Sequence, residues 1–89
     1  MSEQASLESQ VAAGNRAEEL RQNPLYQEAM RKLQERCFRE WADSKDTDQA
    51  GREALFFTLR AARKFEEELT TIIGSGAMAS NALKQKGKK

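Results

Sequence analysis

DTDQAGREALFFTLRAARKFEEELTTIIG, residues 46–74, is the stretch whose reading decides the fold. Leu55, Leu59, Ala62, Phe65, Leu69 and Ile72 recur at steps of three or four, the spacing that lines side chains along one helix face. Phe56, Phe57 and Ile73 flank that row and widen it beyond a narrow coiled-coil seam. Arg60, Arg63, Lys64, Glu66, Glu67 and Glu68 take the remaining face. At the front, Asp46-Thr47-Asp48-Gln49 offers short acceptors for the free amides and acids for the positive helix end. At the back, Gly74-Ser75-Gly76 predicts a stop, with Gly74 suited to the left-handed position beyond a last turn. The pattern predicts one helix over about 47–73.

Upstream, Asn23-Pro24 pairs a good N-cap with the one residue that loses no needed hydrogen bond in the first helical position. A second helix follows over about 24–42, with Tyr26, Met30, Leu33, Cys37 and Trp41 in its apolar row and Leu25, Ala29 and Phe38 beside it. Glu28–Lys32 and Glu35–Arg39 are i,i+4 pairs in the favourable order. Asp43-Ser44-Lys45 is too short a link for anything but an antiparallel return. At 1.5 Å per residue the two helices measure about 28 and 40 Å, so the longer one overhangs the other.

Residues 1–22 form a polar N-terminal arm in which Leu7, Val11 and Leu20 are scattered and Gly14-Asn15 interrupts the pattern. Two readings stay open for it: a short helix over about 5–13 with a turn over 16–21, or a frayed arm that orders only on a partner. Residues 77–89 read as a candidate short C-terminal helix, with Met78 and Ala82 in a weak stripe, and a basic tail. The expected organisation is therefore an arm (1–22), a helical hairpin (23–76) and a short helix with its tail (77–89).

Composition agrees with an all-α chain. Of 89 residues, 33% are charged and 38% hydrophobic, β-branched residues are few, and there is room for one small domain. No apolar run approaches a membrane span, and Met1-Ser2-Glu3-Gln4 lacks the basic and apolar regions of a signal peptide. One Cys excludes an internal disulfide and suits a reducing cytoplasm. Residues 1–83 carry 11 basic and 14 acidic groups, a balance of −3, and four Lys in the last six residues bring the whole to +1.

Chemistry-bearing patterns are missing. With no His there is no usual general base, no Ser–His–Asp or Cys–His arrangement and no Glu-x-x-His metal pair. Asp46-Thr47-Asp48-Gln49-Ala50-Gly51 opens like a calcium loop, but Ala50 has no oxygen at the fifth place and Phe57 replaces the bidentate Glu at the twelfth. Cys37 falls in an apolar row and reads as a small core residue. The expectation is no catalytic residue, no metal, no cofactor and no small-molecule substrate.

A lone hairpin buries one seam, which leaves several aromatic side chains facing water. Each contributes about 1.5–3 kcal/mol once buried, so leaving three or four exposed forgoes a sum comparable to the stability of a small domain. The chain is therefore expected to complete a bundle with copies of itself or on a larger assembly. Candidate interaction residues are Tyr26, Met30, Leu33, Phe38, Trp41, Phe56, Phe57, Leu59, Phe65 and Leu69. An alternative is nucleic-acid binding through Lys84, Lys86, Lys88 and Lys89, which would contact phosphates in a salt-dependent way. No helix-turn-helix spacing supports it.

Asn23-Pro24-Leu25-Tyr26-Gln27-Glu28-Ala29, then Glu40-Trp41, then Asp48-Gln49-Ala50-Gly51-Arg52-Glu53-Ala54-Leu55 resemble a group of small helical proteins of tailed bacteriophages and prophages, encoded near packaging and head-structure genes. The resemblance covers about residues 18–83 and singles out Asn23, Pro24, Trp41, Gly51, Arg52 and Glu53. It implies a non-enzymatic structural or assembly accessory of a virus, acting by helix–helix contacts in the host cytoplasm or within the virion. A small host-directed inhibitor is the further alternative. Gly51 is physically odd, since Gly early in a helix costs up to about 1 kcal/mol against Ala; close approach of another backbone, or fraying, would explain it.

Overall fold

Short acceptor side chains set where the helices begin. Ser2 Oγ accepts from the Ala5 N–H at 3.1 Å, Asn23 Oδ1 from the Leu25 and Tyr26 N–H groups at 2.8 and 3.2 Å, and Asp48 Oδ1 from the Gly51 N–H at 3.0 Å. Each answers amides that the first helical turn leaves unpaired. In the computed structural model, which describes residues 2–87, these caps open α1 (Glu3–Gln22), α2 (Pro24–Asp43) and α3 (Gln49–Lys86). The fold is all-α, and the described residues contain no strand. Ser44 closes α2, its N–H and Oγ both donating to the Trp41 carbonyl at 3.2 and 2.6 Å.

The Asp48 cap also borders Gly51. A Cβ there would run into the Asp48 carboxylate, so a side chain fills the space and not another backbone. On α2, Glu28 meets Lys32 at 3.4 Å as its spacing predicts, whereas Glu35 reaches back to Arg31 at 2.7 Å.

Two helices run further than the sequence pattern predicts. α1 passes through Gly14-Asn15 as one continuous helix, so the arm is neither broken nor frayed there. α3 passes through Gly74-Ser75-Gly76, no described Gly has positive φ, and the candidate helix over 77–83 is the last part of α3. The reason lies where α1 and α3 meet. A Cβ on Gly14 would sit 3.0 Å from the Gly76 Cα and 3.3 Å from the Ile72 carbonyl oxygen. A Cβ on Gly76 would sit 3.0 Å from both the Gln10 carbonyl oxygen and the Gly14 Cα. Each glycine makes room for the other helix's backbone, and the close packing offsets the propensity each one costs.

The chain divides into two compact units that share α3. One, Asn23–Glu66, pairs α2 with the first part of α3 in antiparallel fashion. Here Cys37 and Ala62 are buried, and Met30, Leu33, Leu55 and Leu59 are half-buried in the same inward rows. The other pairs α1, up to Gln22, with α3 from Glu67 onward. There Gly14, Ala17, Leu69, Gly76 and Ala79 are buried, and Glu3 pairs with Lys86 at 3.1 Å where the helix ends meet.

Gly74 differs from its neighbour, because a Cβ there meets nothing within 4 Å. Gly74→Ala should therefore raise stability by up to about 1 kcal/mol. Gly76→Val should lower it by pushing α1 away. Thermal melts followed by circular dichroism read both signs, and shifts in the same direction would contradict the crossing.

Candidate interaction surface

The buried apolar residues are Ala17, Cys37, Ala62, Leu69 and Ala79, and Leu69 is the one large side chain among them. No described side chain is both large and fully enclosed. The core is thin, and the aromatic residues lie largely outside it.

Of the ten candidate interaction residues, the structure turns Leu69 inward and half-buries Tyr26, Met30, Leu33 and Leu59. These five build the helix pairs themselves. Phe38 (67% exposed), Trp41 (44%), Phe56 (57%), Phe57 (58%) and Phe65 (48%) face outward. Phe65 departs from its expected place. The inward row of α3 follows Leu55, Leu59, Ala62, Glu66, Leu69 and Ile73, so Phe65 and Ile72 fall to one side of it. The Phe65 ring lies against Tyr26 instead, with centroids 6.2 Å apart and planes tilted by 49°. Leu25 and Met78 are also widely exposed: Leu25 sits beside the α2 row, and Met78, which the sequence places in a weak stripe, faces outward.

One flank of the 23–66 unit gathers the exposed aromatic groups. The Arg52 guanidinium lies 4.3 Å from the centroid of the Trp41 ring, a cation–π contact worth about 0.5–1 kcal/mol at an exposed site. That contact puts the Trp41 side of α2 and the Arg52 side of α3 on the same flank. Phe38 precedes Trp41 by three residues and Phe56 follows Arg52 by four, so helical spacing brings both to it. Phe57 meets Phe56 edge-on at 5.6 Å. Beside Phe38 runs a groove lined by Gln34, Glu35, Arg39 and Ala42. Beside Phe57 runs another, lined by Arg60, Ala61 and Lys64.

Tyr26, in the first turn of α2, has a hydroxyl that is buried without a hydrogen-bond partner among the described residues. Burial first, and the nearby Glu66 carboxylate second, raise its pKa above the ordinary 10.0.

Of the four Lys assigned to phosphate contacts, Lys84 and Lys86 lie in the last turn of α3, where cations complement the helix dipole. Lys86 is engaged by Glu3, and Lys88 and Lys89 lie outside the described residues. No group of three His, Cys, Asp or Glu among the described residues is placed to hold a metal ion. No described helix is long and apolar enough to cross a membrane. The arrangement offers apolar, arginine-rimmed surface for contact. Comparison with known proteins finds no matching family model, curated protein or solved structure.

The raised Tyr26 pKa means that the fold disfavours the tyrosinate, so stability is kept while the phenol stays protonated. Stability from this source is complete below about pH 10 and is lost as pH rises through the folded-state pKa. Tyr26→Phe should remove this alkaline loss and, by deleting an unpaired buried hydroxyl, gain about 1 kcal/mol at neutral pH. Because Tyr26 is the one tyrosine in the chain, tyrosinate absorbance reads its titration directly. A midpoint at or below 10.0 would contradict the buried hydroxyl.

Proposed function

We propose that the chain is a non-enzymatic interaction protein that works by helix–helix association, completing its apolar contacts against another protein surface. One observation carries this reading. In the 23–66 unit Phe38, Trp41, Phe56 and Phe57 face outward, each 44–67% exposed. Gathered on one flank, they form an apolar patch of the kind that soluble monomers keep small. The resemblance to small phage proteins, resting on its own residues, gives this association a context in virion assembly within a bacterial host. Binding of nucleic acid by the basic end has less support, since Lys86 is already held by Glu3.

Light scattering and apolar-dye uptake on the full chain test the proposal. The expected result is a species heavier than 10.1 kDa, or a monomer that takes up the dye. A monomer that takes up none would end the reading.

A further inference from the structure

Resting on the interaction reading above, we infer that the occupant of the Phe38–Trp41–Phe56 flank is a second copy of the same chain, seated about a two-fold axis parallel to the helices. Three observations lead there.

The first is the scale of the uncovered area. A specific interface takes about 800 Å² from each partner, and obligate homodimers take more. Taking about 200 Å² per aromatic side chain, Phe38, Trp41, Phe56 and Phe57 alone present about 450 Å², enough for the central part of such a contact.

The second is how small the 23–66 unit's own core is. The buried apolar residues there are Cys37 and Ala62, both small. Units of this size usually depend on a disulfide, a metal or oligomerisation. Cys37 has no second cysteine to join, and no metal cluster exists among the described residues. Association through the exposed aromatic flank supplies the contacts this small core lacks, and the partner present whenever the chain is made is another copy.

The third is self-complementarity. Tyr26–Phe65 and Trp41–Arg52 fix the antiparallel register of α2 and α3, and in that register Phe38 lies level with the turn carrying Phe56. A two-fold axis parallel to the helices sets α2 of one copy against α3 of the other, every neighbour antiparallel, as in a four-helix bundle. Phe38 then faces Phe56 of the second copy, and Phe56 faces its Phe38. Glu35, at the groove beside Phe38, comes within a turn of Arg60 of the second copy. The net charge of +1 sets up little repulsion between copies.

The single Trp reports from this flank, so its emission and the mass can be followed together in a dilution series of the full chain. The expected result is twice 10.1 kDa at high concentration, with Trp41 emission moving to the red as the dimer dissociates. Phe38→Glu and Phe56→Glu should each weaken association at least about 30-fold, as for truncation of a central contact residue. Leu25→Glu, at the exposed start of α2, should leave it unchanged. A monomer that still takes up apolar dye overturns the second copy in favour of a different protein, while leaving the interaction reading standing. A monomer that takes up no dye removes both. A dimer whose Trp41 emission ignores dilution, or which breaks with Leu25→Glu and not Phe38→Glu, overturns the choice of flank. Should the Phe variants fail to fold, the dilution of the unsubstituted chain decides.

Discussion

The uninterrupted backbone ladder of α3 is the constraint on which the rest depends. Both helix pairs are built on it, α2 along its first part and α1 along its second. Thirty-eight residues of helix containing three glycines are not favoured by propensity alone. Packing has to hold the ladder closed, and at Gly76 it does so by bringing the α1 backbone directly against it. Helix stability in proteins comes largely from such tertiary contacts.

The two pairs use different chemistry for the same purpose. In the 23–66 unit, apolar side chains interleave and aromatic rings tile the edges, with Tyr26 on Phe65 at one end of α2 and Trp41 under Arg52 at the other. In the other unit the buried positions are mostly Gly and Ala, and large side chains are scarce apart from Leu69. Hydrophobic transfer dominates the first contact, and short-range dispersion between closely spaced backbones contributes more to the second. Surface ion pairs such as Arg31 with Glu28 and Glu35 are at least half exposed and add little to either.

Much of this was legible in the residues. Asn23-Pro24 marks the start of α2 because capping and proline geometry are local, and Asp48 marks the start of α3 for the same reason. Leu55, Leu59, Ala62 and Leu69 lie inward as their spacing predicts. What local rules misjudge is Gly14-Asn15 and Gly74-Ser75-Gly76. A glycine that ends a helix and one that admits a second helix look alike until the partner backbone is in place, and only Gly14 and Gly76 have that partner. The choice between Phe65 and Glu66 fails for a related reason. Composition favours burying the aromatic ring, while the 3.6-residue row selects the next position and leaves Phe65 a place beside Tyr26. The outward-facing aromatic residues were visible as an excess over what one seam can cover; their gathering on one flank depends on the Trp41–Arg52 contact, which no spacing rule contains.

The Gly14–Gly76 crossing also decides how α1 tells its correct setting from neighbouring ones. Buried polar residues often serve that purpose, since a wrong alignment strands them, but none is buried among the described residues. Here discrimination comes from missing atoms. Turning α1 by one residue would present Ala13 or Asn15 to the Gly76 backbone, and sliding it by one turn would present Gln10 or Glu18. Each brings a Cβ into a space that holds only hydrogen, so the alternatives push the two backbones apart and the native alignment is favoured because nothing larger is there.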